Sequence, residues 1–210
     1  MRILVTGKNG QLGRSIQKTV NADTKIGNNQ SPNKYVFVCR EDLDLSSKSS
    51  ISHYFDNNDK FDIIINCAAY TQVDRAEQDA ELANQINHLA VKQLASIAIK
   101  QQARLIHIST DYVFDGESNK PYLETDTPNP INAYGRTKLA GEKALQALMP
   151  INAIIIRTSW LYSEYGNNFV KTMLRLGRER DELKVVSDQM GSPTYATDLA
   201  DGILKIIKHK

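Results

Sequence analysis

Five short apolar runs, Ile3-Leu4-Val5, Tyr35-Val36-Phe37-Val38, Ile63-Ile64-Ile65, Leu105-Ile106-His107-Ile108 and Ile154-Ile155-Ile156, recur along the chain with longer segments of helical period between them. Runs this short and this uniformly apolar suit strands buried on both faces. In the segment from Gln85 to Gln101, Ile86, Leu89, Ala90, Leu94, Ile97 and Ala98 return on one helical face. Strand, helix, strand repeated in this way predicts an α/β fold, a doubly wound parallel sheet of Rossmann type. After Arg157 the rhythm loosens into Trp160-Leu161-Tyr162, a helical pattern from Phe169 to Arg180, a short strand expected at Leu183 to Val186, and a Gly191-Ser192-Pro193 turn. This stretch reads as substrate-side structure. The domain reading is a dinucleotide-binding domain over 1–157, a substrate-binding segment over 158–195 and a terminal helix over 196–210 packing back on the first domain. Asn21 to Asn33, polar and carrying Gly27, Ser31 and Pro32, reads as a surface loop.

Composition excludes several classes of function. The chain is 41% hydrophobic and 24% charged, with 26 basic and 24 acidic residues and a formal charge of +2, so no global field favours nucleic acid or an anionic membrane. No apolar run approaches the roughly 18 residues of a membrane span, and the N-terminus lacks a signal-like pattern. Cys39 and Cys67 show neither CxxC spacing nor the density of a disulfide scaffold, and both read as buried small groups in a reducing compartment. A cytoplasmic protein is expected. His53, His88, His107 and His209 show no ligand spacing, so no metal is expected, and His107 reads as a core or sheet-edge histidine. The lysines from Lys205 onward read as the solvated face of a terminal helix.

Chemistry is concentrated where strands end. The first strand runs into Thr6-Gly7-Lys8-Asn9-Gly10-Gln11-Leu12-Gly13 and then directly into a helical pattern. Glycines at a strand-to-helix turn put backbone N–H groups and the positive end of a helix dipole where a pyrophosphate can sit. The second strand closes with Cys39-Arg40, ahead of Asp44-Leu45. An acid there would suit a free ribose 2′-hydroxyl, whereas Arg40 suits a 2′-phosphate, which favours NADPH over NADH, or is simply a solvated arginine.

Tyr134-Gly135-Arg136-Thr137-Lys138 opens a helix and puts a phenol and an ammonium at i and i+4, on one face. A cation about 4 Å from a phenolate stabilises it by roughly 4 kcal/mol at an effective dielectric of 20, less what solvation removes. That makes Tyr134 a candidate general acid for a carbonyl, with Lys138 tuning it. Alone, such a pentad is as well read as a structural helix pair. The fourth strand, however, empties into Ser109-Thr110-Asp111-Tyr112-Val113-Phe114-Asp115-Gly116, and Thr110 supplies a hydroxyl that can hold the reacting carbonyl.

These three elements in this order resemble the extended short-chain dehydrogenase/reductase superfamily. Asn66-Cys67-Ala68-Ala69-Tyr70-Thr71-Gln72-Val73-Asp74-Arg75-Ala76-Glu77, Arg157-Thr158-Ser159-Trp160-Leu161-Tyr162 and Asp188-Gln189-Met190-Gly191-Ser192-Pro193-Thr194 narrow the likeness to the dTDP-4-dehydrorhamnose reductase family, across essentially the whole chain. The resemblance implies an NADPH- or NADH-dependent oxidoreductase that reduces the C4 ketone of dTDP-4-dehydro-6-deoxy-L-mannose to dTDP-L-rhamnose, with a dTDP-4-keto-6-deoxysugar as partner and a monomer or homodimer as the working form. By motif match it implies Thr110, Tyr134 and Lys138 as the catalytic triad. Gly7, Gly10, Gln11, Leu12, Gly13, Arg40, Asp44, Leu45, Ala68, Ala69 and Thr71 fall on the cofactor side, together with Tyr134 and Lys138. Val73, Thr110, Tyr112 and Trp160 fall on the sugar-nucleotide side, although Trp160 also suits a core position.

Dehydratases of the superfamily carry Thr-Asp-Glu where this chain has Thr110-Asp111-Tyr112, so one of the two groups that elimination needs is absent. Family members run on past the position of Lys210, which implies a small, incomplete C-terminal substrate lobe. Ser15 and Thr197 stand where some members carry metal-linked carboxylates. Two alternatives stay open. One is a non-catalytic NADP-binding subunit resembling the regulatory subunit of methionine adenosyltransferase, and the other is a reductase or epimerase of another nucleotide sugar.

Overall fold

The computed structural model describes residues 1–25 and 33–208. Each of the five apolar runs forms a strand: β1 (Arg2–Thr6), β2 (Lys34–Val38), β3 (Ile63–Asn66), β4 (Arg104–Thr110) and β5 (Ala153–Thr158). They make one sheet in the order β2-β1-β3-β4-β5, with β1 parallel to β2 and to β3, and β3 parallel to β4. The order reverses between β1 and β3, which is where open α/β sheets bind ligands, beyond the carboxyl ends of the strands. The fold is the Rossmann-like α/β arrangement expected from the pattern.

The helices are α1 (Gln11–Lys25), α2 (Lys48–Asp56), α3 (Ala80–Asn84), α4 (Ala90–Gln101) and α5 (Ala133–Leu148), then α6 (Phe169–Glu179) and α7 (Ala196–Lys208). A π-turn over Gln85–Leu89 joins α3 to α4, so the helix expected from Gln85 onward opens with one wide turn. Two short parallel strands, β6 (Leu161–Tyr162) and β7 (Thr194–Tyr195), pair with each other.

The chain divides into two compact units, Met1–Gly7 with Pro32–Arg157, and Lys8–Ser31 with Thr158–Lys210. In the first, Leu4, Ile64 and Leu105 are in register on adjacent strands and fully buried, beneath Ile51 and Phe55 of α2, Val91, Leu94, Ala95 and Ala98 of α4, and Leu145 of α5. Each such side chain contributes about 1.5–3 kcal/mol on leaving water. The alanines of α4 let that helix lie close on the sheet, and Gln102 ends it in the left-handed region, φ 58°. In the second unit, α1 packs against α7, which buries Ala196, Ala200, Ile203, Leu204 and Ile207 and leaves Lys205 and Lys208 outside.

Three local expectations change. Leu183 to Val186 forms no strand, since its apolar residues find no ladder partner and Val185 and Val186 stay exposed. The loop expected over Asn21 to Asn33 begins later, because α1 continues to Lys25; 26–32 lie outside the described residues, as do His209 and Lys210. Cys39 is half-buried and bonds through Sγ to Asp42 Oδ2 at 3.0 Å, so it is no simple apolar filler.

Candidate active site

Helix α5, which carries Tyr134 and Lys138, is fixed at its start by three polar contacts. Asn132 caps α5 by accepting from the Gly135 N–H at 2.7 Å, Glu77 Oε1 accepts from the Ala133 N–H at 2.6 Å, and Arg136 pairs with Glu77 at 3.3 Å. An N-cap of this kind contributes about 1 kcal/mol. Gly135 lies directly under the Tyr112 carbonyl, where any Cβ would overlap the oxygen. Glycine therefore lets the first turn of α5 press against the exit of β4, bringing Tyr134 beside Thr110.

Thr110 ends β4, accepts from the Tyr112 N–H at 3.2 Å and donates to Asp111 Oδ1 at 3.0 Å. The Tyr112 ring meets Tyr134 edge to face, with centroids 5.7 Å apart, and Tyr112 itself is partly exposed. Burial pushes the Tyr134 phenol up to about 12, against the opposing pull of the neighbouring Thr110 hydroxyl. This reverses the direction expected from the lysine four residues on. Lys138 is 1% exposed, and its Nζ donates to the Ile108 carbonyl at 2.6 Å and meets His107 Nε2 at 3.3 Å. The shared helix face is real, but α5 is buried there, and the ammonium takes the polar partners that β4 offers. Burial lowers Lys138 to about 8 even though Glu142 nearby opposes the shift. Asp111 is raised by burial, with the hydrogen bond from Thr110 acting the other way.

Further around the same unit, Gly7 has φ +71°, and a Cβ there would lie 2.9 Å from the Ala68 N. Only glycine lets the end of β1 lie so close to the Cys67-Ala68-Ala69 segment leaving β3. Asp44 accepts from Ser46 N and Oγ at 2.8 and 2.7 Å and pairs with Arg40 at 3.4 Å. Desolvation opposes, but these contacts together hold the Asp44 carboxyl below its ordinary range. Arg40 is thus tied to Asp44, an arrangement that the sequence left open, while Leu45 is buried beside it. Thr71 is exposed and Val73 half-buried, just before the short helical turn Asp74–Glu77. Burial pushes the Cys67 thiol up to about 12.

In the second unit, Gly10 precedes α1, and Leu12 is buried in its first turn. The side chain of Gln11 accepts from Ser163 Oγ at 3.0 Å and Asn168 Nδ2 at 2.9 Å and donates to the Leu161 carbonyl at 3.2 Å. Gln11 therefore latches the start of α1 to the β6 region with its side chain, while its carbonyl accepts from Ser15 Oγ at 3.0 Å. The first turn of α1, which includes Gly13, holds no acidic residue, so nothing there repels an anion from the free N–H groups. Trp160 is 42% exposed with φ 47°, which rules out the core position; its ring packs on Gly191 and lies 6.2 Å from that of Phe169. Among the described residues no three His, Cys, Asp or Glu side chains gather as metal ligands.

Residues 1–210 match the family described as the RmlD substrate binding domain. The chain belongs to this family. A curated dTDP-4-dehydrorhamnose reductase from Aggregatibacter actinomycetemcomitans is 44% identical over 205 residues, 98% of this chain and 67% of that protein. A crystal structure of a dTDP-4-dehydrorhamnose reductase from Clostridium acetobutylicum superposes with TM-score 0.90 at 47% identity, covering 99% of this chain and 70% of that one. The reductase from Bacillus anthracis, solved in complex with NADP, gives TM-score 0.89 at 43% identity over 99% and 70% of the two chains. The chain thus spans about two thirds of the length of its relatives.

Sequence reasoning missed three supports of the site: Glu77 at the start of α5, Asn87 in the π-turn, and the row of polar side chains behind Lys138. Asn87 is fully buried, accepts from the Tyr70 N–H at 2.9 Å and donates to the Tyr70 carbonyl at 3.1 Å and Thr137 Oγ1 at 3.2 Å. Its signal was available: an asparagine on the buried side of an amphipathic helix needs polar partners.

Proposed function

We propose that this chain is an NAD(P)H-dependent reductase of the C4 ketone of dTDP-4-dehydro-6-deoxy-L-mannose, forming dTDP-L-rhamnose. The observation that carries the reading is the buried grouping of Thr110, Tyr134 and Lys138 at the carboxyl end of β4 in a chain of this family. The relative solved with NADP supports the cofactor class. The residues present suit such a cofactor, because a tight glycine exit follows β1 and the first turn of α1 is free of acids. Backbone N–H groups from Gly10 to Gly13 would hold the pyrophosphate. By motif match Gly7, Asp44, Leu45, Ala68, Ala69 and Thr71 are assigned to the cofactor as well, with Arg40, paired with Asp44, assigned to a 2′-phosphate.

When bound, the reduced nicotinamide supplies the hydride. The rest is done by this chain. Tyr134, fully protonated at neutral pH because its phenol lies near 12, gives its proton to the ketone oxygen as negative charge develops there. Thr110 donates its hydroxyl to the same oxygen and fixes the carbonyl's direction. Lys138, charged below about 8, stabilises the phenolate that Tyr134 leaves behind. Val73, Tyr112 and Trp160 are assigned to the sugar nucleotide. With Tyr112 in place of a second carboxyl there is no acid–base pair for elimination, so the reaction stops at reduction.

The same reading takes the protein as a cytoplasmic monomer or homodimer; no helix among the described residues is long and apolar enough to cross a membrane. The test is to follow oxidation of NADPH and of NADH with the dTDP-linked keto-sugar and with a GDP-linked one. Oxidation that depends on the dTDP sugar is expected. Cofactor binding without turnover of the dTDP sugar would contradict the reading and favour a non-catalytic binding role.

A further inference from the structure

The apolar row Leu4, Ile64, Leu105 turns polar two residues on. Thr6, Asn66 and His107 follow on the same face, in register across β1, β3 and β4, and each is at most 1% exposed. Lys138 closes the row from α5. Thr6 Oγ1 lies 2.7 Å from Asn66 Oδ1, Asn66 Nδ2 lies 3.0 Å from His107 Nδ1, and His107 Nε2 lies 3.3 Å from Lys138 Nζ. At the far end the Ala68 N–H donates to Thr6 Oγ1 at 3.2 Å. Buried polar groups in such number need a consistent set of donors and acceptors.

Counting protons allows two sets. In one, the Thr6 hydroxyl donates to Oδ1 of Asn66 and Nδ2 of Asn66 donates to Nδ1 of His107. The imidazole proton then sits on Nε2 and points at Lys138 Nζ, which can accept it only as a neutral amine, while an amine hydrogen goes to the Ile108 carbonyl. In the other, Lys138 is an ammonium and donates to Nε2, the imidazole proton moves to Nδ1, and the Asn66 amide turns over to accept it and donate to Thr6. The Thr6 hydroxyl hydrogen is then released from Asn66, beside Gly7 at the end of β1. Both sets hold His107 neutral, as burial requires.

We propose that Thr6, Asn66 and His107 are positioning residues that act through Lys138, reversing the direction of their hydrogen bonds as that lysine gains or loses its proton. The row keeps both forms of a buried lysine bonded to the same two partners, His107 and the Ile108 carbonyl. Its purpose rests on the reading of Tyr134 as proton donor and Lys138 as its partner. Glu142 on α5 is the charged group that acts on Lys138, and Lys138 is the one that acts on His107; Tyr134, on the preceding turn of α5, lies beside Asp111 and Tyr112, Arg157 pairs with Glu142, and Cys67 follows Asn66 in the chain. Tyr134 and Cys67 both lie near 12, Tyr112 is raised, Glu142 is clamped by Arg157 at 2.6 Å, and burial raises Asp111 from the ordinary carboxylate range. The change near pH 8 belongs to Lys138.

The imidazole nitrogen NMR shifts of His107 in the full chain, assigned by loss of the signal in His107→Gln, report the tautomer directly. Between pH about 6.5 and about 10 the proton is expected to pass from Nδ1 to Nε2 with a midpoint near 8, and to stay put in Lys138→Met. Tyr134→Phe should keep the switch. In a folded His107→Gln chain the alkaline limb of kcat/KM for reduction should move by about one pH unit, a shift that a purely structural role would not produce. A single tautomer throughout, or an unmoved limb in His107→Gln, overturns the proposal. A switch in a chain that reduces no keto-sugar keeps the row and overturns the reading of Tyr134 instead.

Discussion

Gly135 and Tyr112 meet backbone to backbone: the Gly135 Cα lies so close beneath the Tyr112 carbonyl that a methyl group has no room. The Gly135→Ala variant must therefore lift the first turn of α5 off the exit of β4. Overpacking of this kind costs about 1–3 kcal/mol. Thermal unfolding should show that loss, and the reduction rate should fall by at least about tenfold, because Tyr134 moves with the turn. A variant with parental rate would separate the close approach from the chemistry.

Lys138 gives a pH dependence of definite sign. Its folded value, about 8, lies below the ordinary lysine range, so the charge that stabilises a phenolate is present below that pH and lost above it. The kcat for reduction should hold on the acid side and decline as pH rises through about 8.

The same depression makes Lys138 costly to the fold. Below about 8 the native state must bury a charge that the unfolded chain solvates, and the cost is relieved as pH climbs from 8 toward the unfolded value of ~10.4. At about 1.4 kcal/mol per pH unit this is on the order of 3 kcal/mol. Lys138→Met should raise stability to denaturant at neutral pH, with the gain fading above pH ~10, while abolishing reduction. An equal gain at every pH would contradict the assignment.

Arg157 holds the fully buried Glu142 with both its Nε and a terminal nitrogen, at 3.1 and 2.6 Å, and stacks on Phe114 with 5.0 Å to the ring centroid. Removing one partner strands the other charge. Arg157→Met should destabilise by about 3–5 kcal/mol, and the double variant with Glu142→Leu should recover much of it, as read from chemical unfolding.

The strands were legible because each is a short apolar run, and the strand ends were legible because glycines and hydroxyl residues follow those runs. Leu183 to Val186 looked the same and is not a strand, since a strand needs a neighbour as well as apolar residues. Trp160 could be read either as core or as surface, and only the left-handed backbone at φ 47° and the contact with Gly191 decide for the surface. The i to i+4 spacing correctly put Tyr134 and Lys138 on one face of α5. It could not show that burial raises the phenol and turns the lysine to Ile108 and His107, because those partners come from a strand about thirty residues away. Asn66 and His107 were each visible, but their row across three strands exists only in the sheet register.

The central claim is that Tyr134 donates the proton in reduction of a dTDP-linked keto-sugar. The most direct measurement compares sugar-dependent oxidation of the reduced nicotinamide by the parental chain and by Tyr134→Phe, with cofactor binding checked separately in both. A fall of roughly 10²–10⁴ in kcat with cofactor binding retained is predicted. Turnover by Tyr134→Phe at the parental rate would contradict it.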